Sequence, residues 1–379
     1  LVEDSLPLDE VKDLYIQKKA SVRQFQIQRE IIRDFFDKKL RLDHIENLLV
    51  RPERIIEPMV PDVDFKNPFL ISTEKEQQDN NQVRAVKKAI GNQNIFLIQG
   101  PPGTGKTTVI AEVVKQLVDS NEKILVASQT HIAVDNVLEK LASEQEMSLL
   151  RIGSKNRILE SVKHFHPSEQ IKLYTSDFEI FIDIQSEIIQ MFANEREHEE
   201  IKVKVRLRAE EYSDSIRDKL GGFNYRLIDL IHQSSGSFDF NSISTVLDKW
   251  KTDVSSGLND LIAPLLYSSV DVVFSTCIGI KSDRDFEQGE FKFDTVIIDE
   301  AGKANLAESL VAVSMAKKVI LVGDQMQLPP YIDGNLIDPK IKGSFPGSKY
   351  GHRFLIEDIE HALKTSFFEF LVNRIKANE

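Results

Sequence analysis

The sequence predicts an α/β fold, in which helices cover both faces of an open parallel sheet. Two observations support this prediction. Between residues 94 and 324 the chain contains five short, almost wholly apolar runs: "NIFLIQG", "EKILVAS", "DVVFST", "DTVIID" and "KVILVGD". A polar loop follows each run, and several loops lead into an amphipathic helix. Strands that are apolar on both faces are typical of parallel sheets, and the alternation indicates βαβ units. A ligand of such a sheet binds beyond the carboxyl ends of its strands.

The N-terminal region has a helical pattern from residue 8 to about residue 51. Its apolar side chains recur at largely helical spacing, with charges between them, at Val22, Phe25, Ile32, Phe36 and Leu40. Four prolines at positions 52, 58, 61 and 68 then predict an extended connector. We therefore expect residues 1–72 to form a scaffold helix, packed on the main domain, and its connector.

Residues 156–268 interrupt the α/β alternation and predict a mostly helical insertion between residues 73–155 and 269–379. The segment at residues 179–200 predicts a glutamate-rich amphipathic helix. In "IKVKVRLR", residues 201–208, the alternation favours a strand and the charged flanks favour a continuous helix, so both stay open. The glycine pair at Gly221 and the "SSGS" near Gly236 predict turns.

Composition limits the classes of function. The 379 residues are 41% hydrophobic, enough for the cores of two or three domains. The net charge of −12 argues against nonspecific coating of nucleic acid and requires any such site to be a local basic groove. No apolar run approaches the roughly 20 residues of a membrane span, so no membrane contact is expected.

The ends and the cysteine content predict an intracellular chain. The acidic N-terminus lacks the features of a signal peptide, and a first residue Leu1 predicts a processed or cut chain. Cys277 is the single cysteine, which excludes an internal disulfide and fits a reducing compartment. The expected location is cytoplasmic, with the nucleus left open.

A glycine-rich loop follows the first apolar run and precedes a helix. Its sequence, "GPPGTGKT", matches G-x-x-x-x-G-K-[ST], the phosphate-binding loop. Glycines let backbone N–H groups approach an anion, and the helix that begins near Lys106 adds the positive end of its dipole. A plain turn would not explain the lysine and the hydroxyl group that follow. The candidate nucleotide-binding residues are Gly100, Pro101, Pro102, Gly103, Thr104, Gly105, Lys106, Thr107 and Thr108.

Two carboxylates end the predicted strand "DTVIID". At a strand end that faces the phosphate loop, Asp299 can hold Mg²⁺ together with the hydroxyl of Thr107. Glu300 is placed to orient an attacking water or to take its proton, which points to hydrolysis. The alternative is an exposed acidic pair that opens a loop. Because a phosphate loop lies in the same sheet, we predict the catalytic role.

A further polar loop follows the last apolar run. Gln327 lies in it, after Gly323 and Asp324 and before two prolines. A glutamine at this position can contact the γ-phosphate and report its loss to a neighbouring surface. An ordinary turn is the alternative, and this segment alone does not separate the two.

In chain order, these segments resemble the motifs of superfamily 1B helicases of the up-frameshift and senataxin type. We match the phosphate loop to motif I, "ILVASQTHIAVDNV" to motif Ia, "DVVFSTCIG" to motif Ic, "DEAGKA" to motif II and "GDQMQLPP" to motif III. We match "NNQVRAV" to the glutamine motif, "LLRIGS" to a further family segment, and "SFFEFLV" to the helix that follows motif III in the family. The resemblance covers about residues 76–154 and 271–372 and is specific because the order agrees.

The resemblance implies the first RecA-like domain of a P-loop NTPase, with a helical stalk and an insertion of the kind called 1C. It implies ATP and Mg²⁺ as cofactors and assigns Gln82 to adenine. It also places four residues near the backbone of a single-stranded DNA or RNA: Thr130, His131, Asn136 and Thr276. The choice between DNA and RNA depends on contacts to the 2′-hydroxyl and stays open.

The sequence departs from the family at three points. Lys303 stands where relatives often carry glutamine, and Asp79 where an asparagine often precedes the adenine-reading glutamine. Nothing after Val372 resembles the second RecA-like domain, which carries the arginines that complete hydrolysis. An arginine finger is worth roughly 10³–10⁵ in rate. We therefore expect the N-terminal motor half of a longer protein, which binds ATP·Mg²⁺ alone but turns it over very slowly.

The expected function is an ATP-dependent helicase or translocase, and the resemblance implies 5′ to 3′ movement. One alternative is a nucleotide-gated interaction module whose insertion binds a protein partner; a small-molecule P-loop kinase is another, disfavoured by Glu300 and the Gln327 loop. The insertion also carries a basic ladder: Lys202, Lys204, Arg206 and Arg208. It is either a strand path or, as we favour, a solvated face paired with nearby glutamates.

Overall fold

The computed structural model describes residues 22–36, 58–66, 81–144, 146–194, 197–212, 217–233, 239–257, 259–281, 293–330 and 364–376. Their central feature is a six-stranded sheet in which every neighbouring pair is parallel, in the order β1-β6-β5-β2-β4-β3. The strands are β1 Ile95–Gln99, β2 Ile124–Ser128, β3 Leu149–Arg151, β4 Val272–Thr276, β5 Phe293–Asp299 and β6 Ala316–Gly323. The predicted parallel α/β sheet is confirmed.

Eleven α-helices are described in these ranges. One, α1 Val22–Phe36, belongs to the N-terminal region. Four belong to the sheet domain: α2 Asn81–Ile90, α3 Lys106–Asp119, α4 His131–Leu141 and, after β5, α10 Leu306–Val313. Five lie between β3 and β4: α5 Pro167–Ala193, α6 His198–Arg208, α7 Arg217–Gln233, α8 Phe240–Gly257 and α9 Asn259–Ser269. The last is α11 Phe367–Lys376, which confirms the predicted helix at "SFFEFLV". None of these described helices combines the length and apolarity that crossing a bilayer requires.

The strands are apolar on both faces because each face lies against helices. In β2, Leu125 and Ala127 belong to one core, which α1, α9, α10 and α11 cover. Ile124 and Val126, which point the other way, belong to a second core with α2, α3 and α4. The all-apolar runs therefore follow from a sheet sandwiched between two helical layers.

The predicted N-terminal helix is confirmed over α1, but one of its predicted apolar positions is not buried. Ile27 and Ile31 are buried in the first core, whereas Ile32 of the predicted face is 40% exposed. The connector is described at residues 58–66, which form neither helix nor strand, and there the backbone of Lys66 donates to Glu112 of α3. The remainder of the predicted stalk lies outside the described residues.

Four of the five helices between β3 and β4, α5 to α8, share a core of their own, which includes Ile182 and Ile188 of α5 and Ile228 of α7. The fifth, α9, packs in the first core of the sheet. "IKVKVRLR" is helical in α6, so the strand alternative is wrong. The predicted turn at Gly221 is also wrong, because both glycines lie inside α7. Buried packing on the same helix overrides their low helix propensity. Residues 234–238, predicted as a turn, lie outside the described residues.

The predicted glutamate-rich helix is confirmed in part. α5 begins earlier than predicted, where the side chain of His166 caps it and Pro167 occupies its first turn, and it ends at Ala193 instead of continuing to residue 200. The first turns of α5 pack against the core of the sheet through Ile171 and Tyr174. The helix therefore joins the insertion to the sheet domain. The sequence boundaries of the insertion stay a prediction.

The basic ladder of α6 is largely paired with acidic side chains. Lys202 contacts Asp229 at 3.0 Å, Lys204 contacts Glu187 at 3.8 Å, and Arg208 contacts Glu187 at 3.5 Å and Glu211 at 2.7 Å. Arg206 is exposed. These ion pairs support the solvated-face interpretation of the ladder over a strand path.

Candidate functional site

The glycine-rich loop lies between the carboxyl end of β1 and the first turn of α3. Gly103 and Gly105 have φ values of 79° and 80°, in the left-handed region that favours glycine. The amine of Lys106 donates to the carbonyl oxygens of Gly100 at 2.9 Å and Pro101 at 3.2 Å. Lys106 therefore folds back over the loop, while the turn from Pro101 to Thr104 is exposed.

Neighbouring elements hold this loop in place. The backbone N–H of Gly100 donates to Gly323 of β6 at 3.1 Å. The side chain of Gln82, on α2, donates to the carbonyl of Thr104 at 2.8 Å. Thr107 and Thr108 lie half-buried in the first turn of α3, where the backbone N–H of Thr108 donates to the carbonyl of Gly105. All predicted nucleotide-binding residues thus belong to one loop and the elements that touch it.

Asp299 ends β5 and is 6% exposed. Burial raises its pKa to about 6, and the charge of Glu300 adds to this effect. A hydrogen bond of 2.9 Å from the backbone of Glu300 and the positive charge of Lys106 act in the opposite direction. Lys106 is thus close enough to act on Asp299. Because burial penalises its ionised form, this carboxylate is a suitable ligand for a cation.

A magnesium ion fits the donor groups of this edge. Mg²⁺ is usually held by one or two carboxylates together with phosphate oxygens and water. Asp299 supplies a carboxylate, and Thr107 supplies a hydroxyl beside the loop. No cluster of three or more His, Cys, Asp or Glu that could hold a metal occurs among the residues that the structure describes. The arrangement therefore fits a cation that a bound phosphate completes.

Glu300 follows Asp299 with a φ of 53°, an unusual value for a residue other than glycine. Its carboxylate pairs with the amine of Lys303 at 2.9 Å. Lys303 is the position at which relatives often carry glutamine. Lys303, at which the sequence departs from the family, therefore contacts Glu300, the residue predicted to activate water.

The loop after β6 lies against the loop after β5. A Cβ atom on Gly302 would lie 2.7 Å from the carbonyl oxygen of Asp324, so only glycine allows the approach. Asp324 in turn accepts hydrogen bonds from the backbone N–H groups of Met326 at 3.0 Å and Gln327 at 3.3 Å. Since β1, β6 and β5 are adjacent, the segments of Lys106, Gln327 and Asp299 lie side by side at one edge.

A cleft of about 370 Å³ opens beside the other half of this edge, at the ends of β2, β4 and β3. It is lined by Gln24, His131, Gly153, Ser154, Arg157, Thr276 and Gly279. Arg157 is the one cationic side chain among these lining residues. Arg157 therefore places one positive charge in the cleft of an acidic chain, and a polyanion site needs such local positive charge.

Two of the four residues predicted to contact nucleic acid, His131 and Thr276, line this cleft. Thr130 lies beside it as the N-cap of α4, where its hydroxyl accepts from the backbone of Ala133 at 3.3 Å. Asn136 is exposed on α4 but does not line the cleft. The sequence prediction missed Gln24 and Arg157. The segment "LLRIGS" was a signal for Arg157, since it leads directly into the short 3₁₀ helix Lys155–Arg157.

Comparison with known proteins identifies the family of this chain. The profile of the family described as AAA domain matches residues 77–334, which include the phosphate loop, the insertion and the loop after β6. The chain belongs to the AAA domain family. The match covers more than half of the chain and all six strands.

Three curated relatives extend the comparison of this AAA domain chain. DNA-binding protein SMUBP-2 of Mus musculus is 29% identical over 272 residues, 72% of this chain and 23% of the relative. An uncharacterized ATP-dependent helicase of Methanocaldococcus jannaschii is 24% identical over 97% of this chain and 54% of the relative. ATP-dependent helicase upf1 of Schizosaccharomyces pombe is 28% identical over 74% of this chain and 24% of the relative. The chain thus spans a quarter to half of their lengths, and the resemblance to superfamily 1 helicases is confirmed.

The phosphate loop of this AAA domain chain predicts different effects for two alanine substitutions. Gly103→Ala adds a Cβ atom into open space, so it costs only the left-handed φ, about 1–2 kcal/mol. Gly105→Ala has the same φ cost, and its Cβ atom also overlaps the amide of Gln82. Losing the hydrogen bond from Gln82 to Thr104 adds about 1 kcal/mol. Urea unfolding of both variants checks this order, and equal losses of stability would contradict it.

Proposed function

We propose that this chain is the ATP-binding part of an ATP-dependent helicase or translocase that moves on single-stranded nucleic acid. One observation carries the proposal. Asp299 of β5, Ser128 of β2 and Thr276 of β4 are paired across adjacent strands. The phosphate loop and Asp299 therefore lie on one side of Ser128, and the cleft that holds Arg157 lies on the other. Both sites lie at the carboxyl ends of neighbouring strands, so a change in the bound nucleotide has only a short distance to cross before it reaches the cleft.

The names of the relatives support this proposal. The relatives from Methanocaldococcus jannaschii and Schizosaccharomyces pombe are named ATP-dependent helicases, and the mouse relative is named a DNA-binding protein. We infer from these names that the chain uses ATP and binds nucleic acid. A small-molecule kinase has no use for the cleft at the second half of the edge.

At the nucleotide, each side chain has one role. The backbone N–H groups of the phosphate loop bind phosphate oxygens, and Lys106 exchanges its two carbonyl partners for the β- and γ-phosphates. Thr107 and Asp299 would hold Mg²⁺, which would supply charge neutralisation at the phosphates. Glu300 orients water and accepts its proton. Gln82 lies beside the loop, on the helix that carries the glutamine motif, and contacts adenine.

At the cleft, we infer contacts to the backbone of the strand. Thr276 and His131 offer hydrogen bonds to phosphate oxygens, and Arg157 supplies positive charge. Thr130 fixes the start of α4, and Asn136 extends the surface beyond the cleft. Gln327, in the loop after β6, senses the γ-phosphate. Closure on a second RecA-like domain would then couple hydrolysis to movement along the strand.

The proposal is tested by ATP turnover of the full-length protein, with and without single-stranded DNA or RNA. We expect stimulation by at least one of the two, since strand binding and hydrolysis share the sheet edge. Binding of both polynucleotides should weaken with rising salt because backbone phosphates dominate the contacts. If neither polynucleotide changes the ATPase rate, a translocase is excluded.

Arg157→Ala is expected to weaken oligonucleotide binding by about 10-fold, because a hydrogen bond to a charged partner is worth about 1.5–3 kcal/mol. Fluorescence anisotropy of a labelled single strand measures the effect. The control is the double variant Lys204→Ala/Arg208→Ala on α6, whose cations are paired with Glu187. The control should bind within about 2-fold of the parent. A larger loss in the control than in Arg157→Ala would place the strand on the insertion instead.

The alternative function, a nucleotide-gated interaction module, is favoured by one observation on the insertion. Val203 and Leu207, one turn apart on α6, are 61% and 64% exposed. A protein partner of the insertion could bury this pair. Retained ATP binding, together with no anisotropy change for any single strand, would support this module over a translocase.

A further inference from the structure

His131 begins α4 and lines the cleft with a half-buried ring. Its Nδ1 atom lies 3.2 Å from an Nη2 atom of Arg151. A guanidinium group has only donors, so Nδ1 must accept the hydrogen bond. The proton of the neutral imidazole then resides on Nε2. The contact therefore determines which tautomer His131 presents.

Arg151 cannot easily turn away from this contact. It is fully buried at the end of β3, its Nε atom donates to Asp135 at 2.5 Å, and its Nη1 atom donates to the carbonyl of Ile152 at 2.6 Å. The other carboxylate oxygen of Asp135 accepts from the backbone of Leu159 at 2.9 Å. Both members of the buried ion pair are therefore fixed, and the guanidinium plane is fixed with them.

We propose that Arg151, oriented by Asp135, is a positioning residue for strand binding: it holds His131 as a neutral ring whose Nε2–H group donates to a phosphodiester oxygen in the cleft. This inference rests on the proposed binding of a single strand. It assigns a role to a buried arginine outside the residues predicted from the sequence. It also assigns the chemistry of the contact, a neutral donor to an anionic oxygen.

The charges around His131 agree with this assignment. Its pKa is lowered from the ordinary value by burial first, and then by the positive charges of Arg151 on β3 and Arg157 on the 3₁₀ helix. Asp135, on the same helix as His131, opposes the shift. The other side chains that line the cleft, from Gln24 of α1 and Thr276 of β4, are uncharged. A lowered pKa keeps the ring neutral as the pH falls toward its ordinary value of about 6.5.

The first test is NMR of the imidazole nitrogens in the 379-residue chain, with the resonances of His131 assigned from His131→Phe. At about pH 7 we expect the Nε2–H tautomer. In Arg151→Met both tautomers should appear, and the His131 pKa should rise. Because that variant leaves Asp135 buried without its partner, Asp135→Asn/Arg151→Met is measured beside it. An Nδ1–H tautomer or a doubly protonated ring in the parent chain would overturn the proposal.

The second test is binding of a labelled oligothymidylate at about pH 8 and about pH 6. His131→Phe should weaken binding about 10-fold at both pH values, since it removes a donor to a charged acceptor. In the Asp135→Asn/Arg151→Met background, His131 can protonate, so its contribution should grow as the pH falls.

The outcomes of this second test separate the positioning of His131 from the proposed function of the chain. The parent chain is first shown to bind the oligonucleotide and to have the Nε2–H tautomer. If His131→Phe then binds as tightly as the parent, the hydrogen bond from His131 to the phosphodiester is overturned. A contribution of His131 that grows equally toward low pH with and without Arg151 also overturns it. A parent chain with the expected tautomer that binds no oligonucleotide instead overturns the proposed function, while the positioning of His131 by Arg151 stands.

Discussion

Lys106→Ala is expected to abolish measurable ATP binding. The amine of Lys106 is the cation nearest to the loop carbonyls, at 2.9 and 3.2 Å, and it acts on the buried carboxylate of Asp299. With ATP bound, it would donate to at least two phosphate oxygens. Hydrogen bonds to charged groups contribute about 1.5–3 kcal/mol each, so the Kd should rise about 100-fold or more. Titration calorimetry with ATP and Mg²⁺ measures this change.

The matched control is Lys317→Ala. Lys317 lies near the start of β6, at the opposite edge of the sheet from the phosphate loop, where it pairs with Asp294 at 2.9 Å. Its side chain is 71% exposed, so its loss should cost little stability and leave the ATP Kd within about 2-fold. ATP binding by Lys106→Ala with the affinity of the control would rule out a phosphate site at this loop.

The sheet could be predicted because its strands are buried on both faces. Runs such as "NIFLIQG" and "KVILVGD" have no polar face, and a parallel sheet between helices is the usual structure in which such runs are stable. β3 was missed because it has only three residues and its last residue is Arg151. A buried arginine reads as a surface residue unless its partner is known, and Asp135 lies 16 positions away.

The helical insertion was harder to predict than the sheet. Alternating apolar and basic residues at 201–208 fit a strand and a helix equally, and the packing of Ile201 and Val205 that decides between them involves segments distant in sequence. The glycines at 221 and 222 predict a turn by propensity, which tertiary packing overrode. Neither result depends on local sequence alone.

The candidate site, too, could be predicted only in part from the sequence. The phosphate loop and Asp299 are contiguous motifs whose spacing follows from the chemistry of phosphate and Mg²⁺, so they could be predicted. The cleft is assembled from α1, α4, β4 and the segment after β3. Gln24 and His131 are 107 positions apart. No local sequence pattern predicts such a surface, because only the fold brings Gln24 and Arg157 together in it.

Glu300→Gln is expected to separate hydrolysis from binding. The amide has nearly the same shape as the carboxylate but cannot accept a proton from water, so kcat of the full-length protein should fall by about 10²–10⁴. The ATP Kd should stay within about 2-fold, because phosphate binding depends on the loop and Lys106. Stopped-flow binding and steady-state turnover with a saturating single strand measure the two quantities on one preparation.

Asp294→Asn is the matched control, since it makes the same kind of change at the opposite end of β5. Asp294 accepts from the backbone of Lys123 at 3.1 Å and pairs with Lys317, so its loss acts on stability and leaves the phosphate edge intact. A comparable fall of kcat in both variants would mean that Glu300 acts through folding. A fall only in Glu300→Gln, with ATP still bound, identifies the carboxylate beside Asp299 as the group that receives the proton. Loss of ATP binding in Glu300→Gln would instead show that Glu300 holds the nucleotide, and would remove it from the chemical step.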